Sequence, residues 1–332
     1  MKKFMTILLV VAMMFSLAAC GGSGDSDSSD SSKEEQSSDA EGRRIGVIIG
    51  DSTQDYYNLG LAGIKSKVNE NDELIVYDCK QDIDKQYDLI SDLINQQVDV
   101  IVIAVINSDA MISGLKLIKE SGIPCFCYDQ ELTEEGAALA EAQLYISDYT
   151  IGLLGGQAMA EGLKEKTGEY KGKVMTYAAS HYNAGALRLE GFKDALEEYP
   201  DIDVFFNSDE DWNSDTATGV VESTLLANPD MNGFWGWSEL PTIGAVKAFE
   251  ENDCLEDMVI TTNECSATMY DYIENGKIYS GTELNGYGVG QEIMNMVYAF
   301  LEGEKVESKE ADIFNIKKDN LDKATTPFAL EK

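Results

Sequence analysis

The chain has 332 residues, 44% of them hydrophobic, enough for a sizeable buried core and about two domains. Sixty acidic against 25 basic side chains give a formal net charge of −35. This excludes nucleic acid as a partner, because a phosphate backbone needs Lys and Arg to displace its counterions. Arg43, Arg44 and Arg188 are the only arginines, so a pocket built on a bidentate guanidinium clamp has little to draw on.

Lys2 and Lys3, the apolar run Phe4 to Leu17 and the small residues Ala18 and Ala19 before Cys20 read as a secretory signal over residues 1–19. The run is too short for a membrane span, which needs about 20 apolar residues. With Cys20 at its end it resembles the bacterial lipoprotein signal, which implies diacylglycerylation of the Cys20 thiol and a membrane anchor. Residues 20–42 are Gly, Ser and acid without a large apolar side chain. Nothing there offsets the entropy of ordering, so a disordered tether is expected, with a span of roughly 25 Å.

Five further cysteines, Cys79, Cys125, Cys127, Cys254 and Cys265, are odd in number and irregularly spaced, which is no disulfide framework. Cys125 and Cys127 alternate on an apparent strand and share a face. No partner His or Cys stands nearby, so the reading is two small buried hydrophobes and not a metal site.

From Arg44 the chain alternates strand and helix. RIGVIIG (44–50) is a continuous apolar run, as in a strand buried on both faces, and helical spacing follows from Tyr57 to Val68. Strands are expected at 73–78, 98–104, 123–129 and 144–147, with helices at 85–97 and 110–121 between the first three. A new cycle opens with a helix from Thr150 to Lys166, whose Gly152 and Gly156 suit close packing. Strands at 172–178, 202–207, 233–237, 258–263 and 279–284 alternate with helices at 184–198, 216–227, 241–251 and 267–275. A helix at 291–301 and a strand at 311–316 close the pattern. Repeated βα units predict an α/β fold with doubly wound parallel sheets, and the break near Ser147-Asp148 predicts two similar lobes.

In such sheets a ligand lies beyond the carboxyl ends of the strands, and nearly every strand here ends in acids, amides or aromatics. They include Gln54, Tyr56 and Tyr57; Asp129 and Gln130; His181 and Asn183; Trp212; Ser238 and Glu239; and Asn263. Flat rings cover the C–H faces of a sugar while carboxylates and amides take its hydroxyls. Asp51, Asp55, Asp109 and Asp215 read instead as helix caps or turn residues. Of the adjacent Tyr56 and Tyr57, one should face the pocket and the other the core. The alternating Asp209-x-Asp211-x-Asn213-x-Asp215 lacks the sixth-position Gly and twelfth-position Glu of a calcium loop, so it reads as a capped loop. One histidine, and no nucleophile elbow, P-loop or zinc motif, argue against an enzyme.

From about residue 44 to 318 the chain resembles the ribose- and galactose-binding proteins, the type I periplasmic binding proteins. The resemblance rests on RIGVIIGDSTQDYY, SDYTIGLLGG, RLEGF, DWNSDTA and LLANPDMNGFWGWSE, in that order. It implies a first lobe from 43–147 plus 285–312 and a second from 148–284 plus 313–332, with crossings near 147–149, 284–286 and 312–314. It further implies a substrate-binding protein of an ABC importer, without enzymatic activity or cofactor. A sugar or polyol would be held between Tyr56 or Tyr57 and Trp212, contacted by the strand-end residues above, and delivered to a membrane permease. A sensor subunit serving a membrane kinase is the second reading, and a glycoside-processing enzyme the third. The family's Asp-Arg pair stands here as Asp129-Gln130, its sugar-clamping Arg aligns with Ala186, and Arg188 matches a more structural Arg. An acidic pocket without Arg disfavours anionic ligands. A neutral sugar, polyol or amino sugar fits better.

Overall fold

A computed structural model describes residues 42–209 and 213–324, all within one unit from Glu41 to Lys332. Cys20, the signal, the tether and Trp212 lie outside the described residues.

The first sheet is built from β1 (Arg44–Ile49), β2 (Glu73–Asp78), β3 (Val100–Val105), β4 (Cys125–Gln130), β5 (Ala142–Ile146) and β11 (Lys309–Glu310), in the order β11-β5-β4-β3-β1-β2. All its pairings are parallel. Helices α1 (Asp55–Lys67), α2 (Ile83–Asn95), α3 (Met111–Ser121) and the one-turn α4 (Glu134–Ala137) connect the strands. The run VIVIAV of β3 explains the layering. Val100, Val102 and Ala104 belong to the core on one face, and Ile101, Ile103 and Val105 to the core on the other. A strand covered on both sides must be apolar at every position.

The second sheet repeats the plan with β6 (Gly172–Tyr177), β7 (Ile202–Ser208), β8 (Gly233–Gly236), β9 (Val259–Asn263), β10 (Ser280–Glu283) and β12 (Phe314–Ile316), in the order β12-β10-β9-β8-β6-β7. Only β12 runs antiparallel, against β10. Its helices are α5 (Asp148–Thr167), α6 (Asn183–Leu196), α7 (Ser214–Ala227), α8 (Glu239–Glu251) and α9 (Ala267–Glu274). The sixteen-residue α10 (Gly286–Leu301) returns to the first lobe and packs along α1.

Glycine sets the distance between paired helices in both lobes. A Cβ at Gly152 of α5 would sit 1.8 Å from the Arg188 carbonyl oxygen of α6, and one at Gly156 would sit 2.5 Å from that of Phe192. In the first lobe a Cβ at Gly63 of α1 would sit 2.1 Å from the Tyr287 carbonyl oxygen of α10. Contacts this short admit no side chain.

The strand expected over 311–316 shortens to Phe314–Ile316, which runs antiparallel in the second sheet. Lys309–Glu310, outside the expected span, adds a parallel strand to the first sheet, and the chain passes from one sheet to the other between them. Two residues are too few to show a period of two. Cys125 and Cys127 are buried on one face of β4, with their sulfurs 4.0 Å apart.

Candidate functional site

The carboxyl ends of the two sheets enclose a cavity of about 880 Å³. Of the strand-end residues, Gln54, Tyr56, Tyr57, Asp129, Gln130, Ser238 and Glu239 line it. His181, Asn183 and Asn263 do not. His181 is exposed, its ring tilted against Tyr182 at 4.2 Å and its Nδ1 3.3 Å from Asp209. Asn183 is exposed at the start of α6. Asn263 is fully buried behind the wall, where its Oδ1 accepts from Trp235 Nε1 at 3.4 Å.

The first lobe contributes rings, amides and two carboxylates, Asp55 and Asp129. Tyr56 and Tyr57 open α1 with their rings edge to face at 5.2 Å. Both reach the cavity, and Tyr57 also belongs to the core of the first lobe, so the expected division of one to the pocket and one to the core is only partial. Tyr57 is buried and donates its hydroxyl to Asp129 Oδ2 at 2.7 Å, while Gln81 Nε2 donates to the same hydroxyl oxygen at 3.1 Å. The Tyr56 hydroxyl is buried without a protein partner.

Asp129 sits near the end of β4 with φ = 83°, a left-handed conformation that Asp and Asn tolerate better than other side chains. Its carboxyl reaches the cavity, yet the atoms around it desolvate the charge. Burial pushes its pKa up to about 7, the like charges of Asp148 and Glu264 push the same way, and the Tyr57 hydrogen bond and Arg188 oppose them.

The second lobe contributes an ion-pair network. Arg188, from the RLEGF stretch of α6, lines the cavity and was missed as a pocket residue. Its Nε donates to Asp148 Oδ1 at 2.8 Å, and its Nη1 to Glu264 Oε1 at 2.9 Å and to the Trp237 carbonyl at 3.0 Å. Burial works against the guanidinium charge, but Asp148 and Glu264 outweigh it and raise the Arg188 pKa. Trp237, also in the wall, lies 5.7 Å beneath the guanidinium.

Glu264 follows β9 with φ = 67° and takes the place expected of Asn263. Within β9 the buried face claims Asn263, and the next residue turns into the cavity. Glu239, at the start of α8, accepts from Ser266 Oγ at 2.5 Å. Burial raises its pKa, and Glu264 and Asp55 add to the rise. Ser238 is 1% exposed and lines the cavity, and its Oγ has no protein partner. Glu283 is buried, with Oε1 accepting from the Asn285 amide at 2.7 Å. The arrangement presents acceptors and buried hydroxyls beside aromatic faces.

Asp51 serves the turn expected of it, its Oδ1 taking the Thr53 amide at 2.9 Å. Asp55 and Asp215 are not caps: they stand inside the first turns of α1 and α7, where a negative charge meets the positive helix end, and Asp55 also lines the cavity. The cap of α7 is Asn213, which accepts from the Thr216 amide at 2.8 Å.

A family model described as "Periplasmic binding protein domain" matches residues 45–305. The chain is 25% identical over 244 residues to the D-apiose import binding protein of Actinobacillus succinogenes, an overlap covering 69% of this chain and 76% of that one. An ABC transporter periplasmic solute binding protein from Actinobacillus succinogenes, with bound D-allose, has the same fold. Its TM-score is 0.73 at 21% identity, over 84% of this chain and 99% of that one. A solute binding protein from Bacillus halodurans, with bound myo-inositol, aligns with a TM-score of 0.72 at 16% identity, over 89% and 100%.

Proposed function

Because the chain belongs to the periplasmic binding protein family, a family of solute-binding proteins and not enzymes, we propose that it captures a sugar or polyol outside the cytoplasm. The lobes close on the ligand and present it to the permease of an ABC importer. The observation that carries this reading is the cavity between the strand ends, where the Tyr56 and Ser238 hydroxyls are buried without partners. Buried polar groups need hydrogen bonds, and a polyhydroxylated ligand supplies them. The sugar and polyol ligands of the similar proteins, D-apiose, D-allose and myo-inositol, agree in class.

The contacts we assign are Gln54, Tyr56, Tyr57, Asp129, Gln130, Ser238 and Glu239, with Arg188, Glu264 and Trp237 added. Arg188 holds Asp148, Glu264 and the Trp237 carbonyl in fixed positions, so the second wall is preorganised before the ligand arrives. The lobes pivot where the chain passes between sheets: after β5, after β10 and between β11 and β12. Cys20 carries the lipid that holds the protein at the membrane.

The test is a thermal-shift screen of the purified chain against pentoses, hexoses and polyols, with amino acids and nucleosides as controls. A ligand at about 100 times its dissociation constant adds about 2.7 kcal/mol of stability, a shift of a few degrees. A hit confined to amino acids or nucleosides refutes the sugar reading and leaves the fold intact. Mass spectrometry of the membrane-extracted protein tests the anchor: diacylglycerol on Cys20 supports it, and a free Cys20 thiol or an N-terminus beyond Cys20 overturns it.

A further inference from the structure

We infer that the ligand is a cation: an amino sugar or amino polyol whose protonated amine is taken by the carboxylates of the cavity. This rests on the sugar-binding reading and narrows it.

The charges of the wall do not balance. Asp55, Asp129, Asp148, Glu239, Glu264 and Glu283 line the cavity, and Arg188 is the one basic side chain that does so among the described residues. Arg188 is already paired with Asp148 and Glu264. Asp129 and Glu239 each receive a hydroxyl, from Tyr57 and Ser266, and neither is ion-paired to Arg188, which reaches Asp129 only as a through-space charge. Asp129 feels the like charges of Asp148 and Glu264, and Glu239 those of Glu264 and Asp55.

A neutral sugar can hydrogen-bond these carboxylates but cannot cancel the repulsion among them, and closing the lobes around it would remove the water that screens them. An ammonium group supplies the missing charge and three N–H donors. Independently of the acids, Ser238 is 1% exposed, faces the cavity beside Glu239 and has an unpartnered Oγ. The Tyr56 hydroxyl is likewise unpartnered. A donor-only group is the natural complement to carboxylates and two hydroxyl oxygens.

Binding such a cation favours ionised Asp129, whose pKa burial has pushed up to about 7. Complex formation below that pH therefore releases a proton. Arg188, Asp148, Glu264 and Tyr57 are the other groups that set this equilibrium.

The experiment is calorimetric titration of the full chain with matched pairs at pH 6 and pH 8. Each of D-glucosamine, D-galactosamine and 1-amino-1-deoxysorbitol is compared with the same molecule carrying hydroxyl in place of amine, and putrescine serves as a cation without a sugar frame. Repeating the pH 6 titration in two buffers of different ionisation enthalpy reads the proton. We expect at least one amine to bind about tenfold or more tighter than its hydroxyl twin, a margin of about 1.4 kcal/mol, with proton release at pH 6. Asp129→Asn should shrink that margin, and Glu239→Gln provides a second variant if the first folds poorly. Hydroxyl twins that bind as tightly as the amines overturn the inference and leave the sugar reading standing. No sugar binding in either form overturns both, and putrescine as the tightest ligand refutes a sugar frame altogether.

Discussion

The two walls of the cavity are made on the same plan and filled with different chemistry. Each comes from the carboxyl ends of a doubly wound sheet, and each stands on a glycine-spaced helix pair. The first wall carries rings and amides around the strained carboxylate of Asp129, with Asp55 at its edge. The second carries an arginine clasped by two carboxylates and a carbonyl. The second wall is therefore braced by its own charges before any ligand arrives, and the first has no such ion pair. Each wall keeps one buried hydroxyl for the ligand, Tyr56 in the first and Ser238 in the second.

The sharpest way to break this contrast is Arg188→Met. It leaves Asp148 and Glu264 without their cation and should destabilise the protein by about 3–5 kcal/mol, read as a lower denaturation midpoint with or without ligand. The reverse expectation holds for the first wall. Asp129 has a folded pKa of about 7 against 3.8, so between those values the folded state holds a proton that the unfolded chain has lost. Its contribution is full below about pH 4 and is lost as pH rises through about 7, with a slope of about 1.4 kcal/mol per pH unit. Asp129→Asn, which suits the same left-handed backbone, should flatten that profile and raise stability at pH 8 while weakening ligand binding. Denaturant titrations across pH 4–8 check the sign.

A third test asks whether the helix pairs are as alike as the glycines suggest. Gly152→Ala and Gly63→Ala each drive a methyl against a carbonyl of the neighbouring helix, and each should cost about 1–3 kcal/mol. A loss in only one lobe would show that the other pair can move apart. The smallest effect is expected from Ser238→Ala. It removes a buried hydroxyl with no protein partner, so the free protein should keep or slightly gain stability while ligand affinity falls by about 1 kcal/mol.

Much of the fold was legible from the sequence because doubly buried strands and amphipathic helices write their periods into local stretches. Most expected elements fall within about two residues of those observed, although α10 begins five residues earlier than expected, at Gly286. The exceptions depend on distant partners. The strand expected at 311–316 shortens to 314–316, and β11, which was not expected, is two residues long. The site was legible as a set of strand ends, but its centre was not. Arg188 meets Asp148 across 40 residues and Glu264 across 76, and no local pattern encodes such a triad. Asn263 was visible as a strand-end residue, and one step of backbone decided that its neighbour Glu264 reaches the cavity instead. Trp212 lies outside the described residues.

The interleaving of the lobes has a consequence for the order in which the protein can be made. The first sheet lacks its last strand until Lys309–Glu310 is available, and α1 lacks its packing partner until Gly286–Leu301 is. Both segments follow almost the whole second lobe in the chain. A polypeptide emerging N-terminus first must therefore carry an unfinished first lobe, with the apolar face of α1 uncovered, until residues 286–310 have followed the second lobe out. The segment 286–316 decides when both lobes can close.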